Sequence, residues 1–412
     1  CSDRSVSKAS TTASTKHYSN PGSGSPSPLK KRTVAKKLPN KALMYGIALS
    51  IPILFFVFIE FGLRIIGFGQ STPLFISNPA NPAYSLARPD VMNRYFPFSA
   101  NKPNVSMETD FFLAQKPENG VRIVVQGGST AAGFPYGLGA SLSGLLEQRL
   151  RHSWPEHHVE VINTAMSAVN SHTLLDLSDE IIALQPDMLL IYAGHNEFLG
   201  ILGASSNFTT SNSYWFTRVK IALKDYRLFQ LMQFLYASFQ ANSASEEVMA
   251  EQNSQINSIT KGTRGTMMAQ VAQNQTIQID SPVYAQALHQ FESNMRALLK
   301  KYRAAGVPVF IAKIASNYKD QAPLKSLETT IEEQALLNQI ENFVTQNVTQ
   351  NKQAIIAELS RSSDTLSSSQ SAITHFNFAR LSETLNALPI AQKHYELAIA
   401  NDLLKFRAPV AI

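Results

Sequence analysis

The sequence predicts an α/β fold in which a parallel β-sheet lies between two layers of helices. Four short runs rich in Val, Ile and Leu have the character of buried strands: 121–126, 159–162, 188–193 and 307–314. Three segments with apolar residues at helical spacing fall between them: 141–152, 173–184 and 284–305. Strands that alternate with helices favour parallel pairing, because each helical crossover returns the chain to the same end of the sheet. The first helix is expected to bury four leucines: Leu142, Leu145, Leu146 and Leu150.

The first strand ends in two glycines and a serine, within the run VRIVVQGGSTAAG. Glycine lets the backbone pass close to a ligand, and Ser129 is expected to begin a helix, where free N–H groups can stabilise an oxyanion. The third strand, in DMLLIYAGHNE, ends in Asn196. The carboxyl ends of parallel strands share one edge of the sheet, where ligands bind. A serine and an amide donor at that edge predict a site that cleaves esters.

Two other interpretations of the glycine-rich turn fail on spacing. Gly127, Gly128 and Gly133 do not form G-x-G-x-x-G, and no Gly-Lys-Ser/Thr follows, so neither nucleotide-binding motif is present. The turn is not the G-x-S-x-G elbow either, because Ala131 stands where the last glycine belongs.

These segments resemble the SGNH/GDSL hydrolases over residues 122–320. GGST (Gly127–Thr130), VEVINTAMSAVNS (Val159–Ser171) and GHNE (Gly194–Glu197) are similar to the first three sequence blocks of that family. The resemblance implies a three-layer, flavodoxin-like α/β/α hydrolase domain. It also implies Ser129 as nucleophile and an oxyanion hole formed by three donors: the N–H of Ser129, the N–H of Ala168 and the side-chain amide of Asn196.

The chain departs from the family at three points. Gly128 replaces an aspartate of the first block, and Ala168 replaces a glycine of the second, which alanine can match if only the backbone N–H is used. The family's Asp-x-x-His, which supplies the general base, does not occur after Asn196. We therefore expect that base beyond Ile412 and little activity from this chain alone, with a non-catalytic protein as the alternative. His195 is interpreted as a positioning or core residue, and Glu197 as a cap for its loop.

The N-terminal region predicts a membrane anchor. Residues 1–41 carry nine Lys and Arg against Asp3, whereas the rest of the chain has 27 basic and 29 acidic residues. That balance excludes a nucleic-acid-binding surface on the folded part. An uncharged apolar run, Ala42–Ile59, begins a predicted transmembrane helix at 42–68. The basic flank predicts a disordered cytoplasmic tail, an inner-membrane single-pass topology and a periplasmic or extracytoplasmic domain.

The remaining segments are assigned by composition. Residues 69–120 form a linker and lead-in whose aromatic residues are expected to pack onto the hydrolase domain at 121–326. An insertion at 202–281 is expected to hold one amphipathic helix, Tyr214–Gln240, packed on the domain or its neighbour, and a mobile loop at 241–279. A lid or a helix lying in the bilayer interface is the alternative for that helix.

The C-terminal part, 327–412, is expected to be helical, with a polar break at Ser360–Ser371 and an incomplete domain end. Ala391, Tyr395 and Ala398 match the spacing of a tetratricopeptide-repeat helix. A single such hairpin must dock on another surface, which makes a protein partner possible.

The sequence thus predicts a membrane-anchored serine esterase, a hydrolase of the SGNH type. Its substrate would be an ester-bearing small molecule, or O-acyl groups of an envelope polysaccharide or lipid. An O-acyltransferase of the same fold and a non-catalytic envelope scaffold are the alternatives. No cofactor and no metal are expected, because His152, His157 and His158 lie in a polar turn without converging carboxylates. Cys1 is the only cysteine, so no disulfide can form within the chain.

Overall fold

The computed structural model describes residues 41–98, 105–108, 110–206, 213–243, 276–347 and 351–412. The strands are β1 (Phe75–Ser77), β2 (Tyr84–Ala87), β3 (Phe112–Leu113), β4 (Gly120–Gly127), β5 (His158–Asn163), β6 (Met188–Tyr192) and β7 (Val309–Ile311). The first helices are α1 (Lys41–Ile65), α2 (Ser129–Ala132), α3 (Leu142–Ser153), α4 (Ser171–Ala183), α5 (Tyr214–Leu223) and α6 (Arg227–Ser243). They are followed by α7 (Pro282–Ala304), α8 (Ile331–Asn347), α9 (Lys352–Leu366), α10 (Ala372–Thr384) and α11 (Leu388–Asn401). The predicted disordered tail, up to residue 40, and most of the predicted loop at 241–279 lie outside the described residues.

Helix α1 is long and apolar enough to cross a membrane over Met44–Ile65. Pro52 lies inside it without ending it, as membrane helices tolerate. The apolar run ends at Glu60, which forms an ion pair of 2.8 Å with Arg64 one turn later. The predicted helical segment is therefore present.

The main sheet is parallel, with the strand order β5-β4-β6-β7. The chain leaves the central strand β4, forms β5 on one side of it and returns to form β6 on the other side. This order corresponds to the first four strands of the flavodoxin-like arrangement, in which ligands bind where the strand order reverses. The predicted α/β fold is confirmed, and the reversal lies between β4 and β6.

Alternate side chains of the sheet pack into two helical layers, as a buried parallel sheet requires. On one face, Val124 and Leu189 pack with residues of α4 and α7 such as Leu177 and Leu298. On the other face, Val125 packs with residues of α3: Leu142, Leu146 and Leu150. Leu145 was also predicted to face inward, but 52% of its side-chain surface is exposed. The buried stripe of α3 is therefore narrower than the leucine pattern indicated.

The lead-in contains a sheet of its own. Strands β1, β2 and β3 pair antiparallel in that order. Tyr95 and Phe112 are buried, as the aromatic pattern predicted, whereas Phe111 remains exposed. Buried Arg94 fixes this region to α4 through its contact with Asp176, at 3.1 Å. Strands of two to four residues are too short to show the alternation of apolar and polar residues that marks a strand, so the sequence predicted only a linker.

The fourth predicted strand is shorter than expected. Its ladder begins at Pro308, whose carbonyl accepts from Leu189 N, and ends where Ala312 N donates to Ile191 O. The chain then turns away, and Ala315 N donates to the Tyr192 hydroxyl at 3.1 Å.

Among its described residues, 202–206, 213–243 and 276–281, the insertion has two helices where one was predicted over Tyr214–Gln240, so that prediction was wrong. The break falls between α5 and α6, at residues 224–226. Lys224 turns toward the domain and pairs with Asp176 at 2.8 Å. The side chain of Gln230 then donates to the Lys224 carbonyl at 2.8 Å, replacing the lost helical hydrogen bond.

The C-terminal helices form two packed pairs, α8 with α9 and α10 with α11. The predicted break at Ser360–Ser371 was wrong in its first half, because α9 continues to Leu366. Ser362 and Ser363 are buried on this helix, so its serine-rich composition hid an inward face. Ala391, Tyr395 and Ala398 are buried against α10, with the Tyr395 ring 5.8 Å from that of Phe376.

Hydrogen bonds return the end of the chain to the sheet. Leu403 N donates to Lys325 O, and Arg407 Nη1 donates to the carbonyl oxygens of Asn317 and Gln321. As a result Ile412 lies next to Gly194. A Cβ atom added to Gly194 would lie 2.7 Å from the Cγ2 atom of Ile412.

A buried histidine pair in the C-terminal helices predicts sensitivity to acid. His375 Nδ1 and His394 Nδ1 are 2.9 Å apart, and His394 Nε2 lies 2.9 Å from the Ser363 hydroxyl. Burial, above all, lowers the pKa of His375 and lowers that of His394 to about 3. Lys393 lowers both values further, and Glu333 opposes it at His375.

Both rings are therefore neutral in the fold, whereas the unfolded chain takes up protons below pH 6.5. We expect the free energy of unfolding of this helical part to fall as the pH drops from 6.5 toward 3. Hydrogen exchange of α8–α11 followed against pH measures this loss, and His394→Gln should flatten it. His152→Gln, at an exposed histidine, is the control and should leave this pH dependence unchanged. The prediction would be contradicted if His394→Gln showed the same pH dependence of hydrogen exchange as the parent.

Gly127 allows β4 and β6 to approach at the edge that carries Ser129. A Cβ atom there would overlap the Tyr192 carbonyl oxygen and lie 2.6 Å from the Ala131 Cβ atom. Overpacking of this kind costs about 1–3 kcal/mol, so Gly127→Ala should lower the denaturant midpoint. Gly139→Ala is the matched control, because a Cβ atom there meets nothing within 4 Å. Equal denaturant midpoints for the two variants would show that the ends of β4 and β6 accommodate the methyl group without loss of stability, and would contradict the prediction.

Candidate active site

Ser129 lies directly after β4 and begins α2. The preceding residue, Gly128, is the N-cap, and Gly133 ends the helix in the left-handed region with φ +97°. The helix is a single turn, and the longer α3 starts at Leu142, close to the predicted start at residue 141. The serine is half-buried, so its hydroxyl lies at the carboxyl edge of the sheet within reach of solvent.

Asn196 comes to the same edge from the neighbouring strand. Gly127 and Tyr192 are paired at the ends of β4 and β6. Gly194 then turns the chain with φ +147°, a conformation that favours glycine. The Asn196 side chain is buried, and a Cβ atom at Gly128 would lie 3.0 Å from its Nδ2 atom. The amide therefore lies beside the residue that precedes Ser129.

The position of the Asn196 amide also limits the size of the side chain that residue 128 can carry. The backbone of Gly128 is extended, with φ −87°, so its conformation does not require glycine. A side chain at this position would instead have to displace the Asn196 amide, which occupies that space.

The segment after β5 connects the two strand ends. Met166 N donates to Gly127 O, and Ile201 N donates to Ala168 O at 2.8 Å. Asn196 Nδ2 donates to Val169 O at 2.9 Å. These bonds connect the segment that contains Ala168 to the end of β4 and to Asn196. Of the three predicted oxyanion-hole residues, Ser129 takes no part in them.

Ala168 adopts an unusual backbone conformation, with φ +59°. This left-handed region is uncommon for residues other than glycine, and such strain is concentrated at functional sites. Close packing accompanies it, because a Cβ atom at Gly200 would lie 2.8 Å from Ala168 O. Ala168 therefore adopts a backbone conformation that favours glycine.

Several donors at this edge are unused. Within the part of the chain that the structure describes, the N–H groups of Ser129 and Ala168 and the Ser129 hydroxyl make no hydrogen bond. Asn196 uses only one of its two amide protons, on Val169 O. Unused donors at the edge where ligands bind can stabilise the negative charge that develops on a carbonyl oxygen.

The described histidines make no hydrogen bond with the serine. Among residues 41–98, 105–108, 110–206, 213–243, 276–347 and 351–412, none hydrogen-bonds the Ser129 hydroxyl. His195 is the histidine closest to Asn196 in sequence, and its ring centre lies 6.3 Å from that of Tyr192. Burial lowers its pKa, which keeps the ring neutral at neutral pH.

A buried polar network behind Asn196 was only partly foreseen. Glu197 accepts from the backbone N–H of Ser171 at 3.0 Å and from its hydroxyl at 2.7 Å. Gln290 donates to the same carboxyl group at 2.6 Å, and Asn294 donates to the Ser171 hydroxyl at 2.9 Å. Burial raises the pKa of Glu197 against these hydrogen bonds. The carboxyl group caps α4 and holds the chain on which Asn196 lies.

Sequence reasoning assigned Glu197 to its loop but missed Ser171, Gln290 and Asn294. The signal for the last two is a pair of amides four residues apart, on the buried face of α7. Within the described residues there is no group of three or more His, Cys, Asp or Glu that could hold a metal ion.

Comparison with known proteins adds little to this geometry. No family model matches the chain, and no curated protein matches it. Among solved structures, the chain is similar to a mutant of the esterase AlinE4, at 14% identity and a TM-score of 0.23. That similarity covers 55% of this chain and 96% of the esterase chain. A similarity this slight does not establish a common fold, so the function must be argued from the strand ends.

Proposed function

We propose that the protein is a membrane-anchored serine esterase of the SGNH type. The observation that supports this most directly is that the Asn196 amide lies beside Gly128, the residue before Ser129, where the strand order reverses between β4 and β6. A hydroxyl and unused donors at one edge are two of the three requirements of acyl transfer through a serine, the third being a general base.

In the proposed mechanism, Ser129 Oγ attacks the carbonyl carbon of an ester and loses its proton to a base. The carbonyl π electrons move to the oxygen, where the N–H groups of Ser129 and Ala168 and the Asn196 amide stabilise the charge. Collapse of this intermediate expels the alcohol, which takes up a proton, and leaves an acylated Ser129. Water then releases the carboxylic acid by the same steps and restores the serine.

The proposed substrate class follows from the anchor. Helix α1 can span a membrane, and the basic residues before it favour a cytoplasmic N-terminus. We infer that the domain lies outside the cytoplasm, facing the envelope, with O-acyl groups of a polysaccharide or lipid as substrate.

Ester hydrolysis by the full 412-residue chain in phospholipid nanodiscs tests the proposal. Because no described histidine hydrogen-bonds Ser129, we expect slow release of p-nitrophenol from p-nitrophenyl acetate that rises with added imidazole beyond the imidazole blank. The matching amide, p-nitroacetanilide, should not react. Heat-denatured protein is the control, and a rate equal to the blank at every imidazole concentration would refute the esterase.

A further inference from the structure

Helices α5 and α6 carry apolar side chains on their exposed sides. On α5 these are Trp215, Phe216, Val219 and Leu223, and on α6 they are Met232 and Leu235. We call these six residues the α5–α6 apolar face. Trp215 is 73% exposed, Met232 61% and Leu235 57%. Exposed apolar side chains that recur along one side of two successive helices indicate a partner.

The opposite side of α6 is fixed to the chain that follows the apolar run of α1. Gln230 Nε2 donates to Gln70 O at 2.8 Å, and Gln70 N donates to Gln230 Oε1 at 2.9 Å. The ring of Phe234 lies 6.1 Å from that of Phe68. Gly69, with φ +80°, brings the backbone so close that a Cβ atom would overlap Gln230.

The start of α6 is held by the residue that ends the apolar run. Leu228 N donates to Glu60 Oε2 at 2.8 Å, and Arg64 Nη2 donates to Asp225 O at 3.4 Å. An apolar run of eighteen residues, Ala42–Ile59, measures about 27 Å as a helix. That length is close to the hydrocarbon thickness of a bilayer. Glu60 and the helix it holds therefore belong at the level where the span leaves the hydrocarbon.

Helical geometry gives α6 two separate faces. At 3.6 residues per turn, the exposed Met232 and Leu235 lie about 150° around the helix from Gln230 and Phe234. Helix α5 has the same division, with Thr217 and Ile221 buried and Trp215 and Val219 exposed. The contacts with residues 60–70 thus leave the apolar face uncovered.

The composition of this surface fits a lipid surface better than water. Trp and Tyr are enriched at the headgroup level of membranes, and interfacial helices combine such residues with Lys and Arg. Apart from Lys224, which pairs with Asp176, the α5–α6 segment carries three basic residues, Arg218, Lys220 and Arg227, against one acidic residue, Asp225. This balance complements anionic headgroups.

We propose that the α5–α6 apolar face lies in the outer headgroup interface of the membrane that α1 crosses. The inference rests on the anchoring part of the proposed function and is independent of the esterase chemistry. It gives the domain a second membrane contact beside the span, in place of a freely hinged tether.

The two tryptophans of the chain provide a test with an internal control. Trp154→Phe leaves only Trp215, and Trp215→Phe leaves only Trp154, which is 44% exposed between α3 and β5. Each full-length protein is placed in phosphatidylcholine–phosphatidylglycerol vesicles whose acyl chains are brominated either near the headgroup or near the chain end. We expect Trp215 to lose emission, more with the headgroup-proximal bromine, and Trp154 to keep it. A third protein without either tryptophan but with Leu235→Trp should behave like Trp215.

A fourth single-tryptophan protein, with Leu54→Trp in α1, separates the inference from the anchor. If bromine near the chain end quenches the tryptophan at position 54 while Trp215 stays unquenched, the interfacial position of α5 and α6 is overturned and the membrane anchor is retained. If the tryptophan at position 54 is not quenched, both the interfacial position and the anchor are overturned. In another outcome, Trp215 is shielded both from bromine and from aqueous acrylamide, and it becomes accessible when the protein is diluted with lipid. This result would assign the α5–α6 apolar face to contact with a second copy of this chain and would also overturn the proposal.

Discussion

Ser129→Ala is expected to reduce imidazole-supported ester hydrolysis to the rate of imidazole alone. The substitution removes the only atom that can carry the acyl group in the proposed mechanism, so the covalent route is lost as a whole. When a catalytic serine is removed from an intact triad, the loss in kcat is about 10⁶. Here the measurable loss is limited by the imidazole-supported rate.

Ser167→Ala is the matched control, because Ser167 is a half-buried serine next to Ala168 at the same edge of the sheet. It should keep the protein-dependent rate. The assignment of the nucleophile would be wrong if Ser129→Ala kept that rate and Ser167→Ala lost it. Both variants change one hydroxyl group at a half-buried position, so both should unfold at the parent's denaturant concentration.

Asn196→Ala is expected to lower kcat by about 10²–10³, the usual effect of losing one oxyanion donor. The amide is buried beside Gly128 and is held by Val169 O, so it is positioned before the substrate arrives. Asn196→Asp should lower kcat as well, because it keeps the shape of the side chain but replaces the donor with a carboxylate that repels the developing oxyanion.

Asn170→Ala separates catalysis from folding in this test. Asn170 is another buried asparagine at the same edge, and its side chain caps α4 by accepting from His172 N. Loss of such a cap costs about 0.5–2 kcal/mol, so this variant should unfold earlier and keep its kcat. A normal kcat in Asn196→Ala, on a substrate that the parent hydrolyses, would remove Asn196 from the site.

Unlike β7, whose Phe310 and Ile311 are more than half exposed, strands β4, β5 and β6 could be predicted because nearly all of their side chains are buried or half-buried. Such strands form continuous apolar runs, and the predicted ends of β4, β5 and β6 agree with the structure within two residues. The position of Ser129 relative to Asn196 follows from those ends, since Ser129 comes two positions after β4 and Asn196 four positions after β6.

Features that depend on distant contacts could not be predicted in this way. The break between α5 and α6 depends on Lys224 reaching Asp176, 48 positions away in sequence. The exposure of Leu145 depends on how α3 is rotated over the sheet, which its leucine spacing does not determine. The polar network behind Asn196 joins Glu197 to Gln290 across 93 positions. Each of these is a tertiary contact that overrides the local pattern.

The most direct test of the central claim is to identify the residue that a fluorophosphonate probe modifies. The full chain in nanodiscs is treated with the probe in the presence of imidazole, digested and mapped by mass spectrometry. Ser129 attacks phosphorus and expels fluoride, so we expect the phosphonyl adduct on the peptide that contains GGST, at Ser129, and no adduct after denaturation. An adduct on another serine, or equal labelling of Ser129→Ala, would contradict the proposed active site.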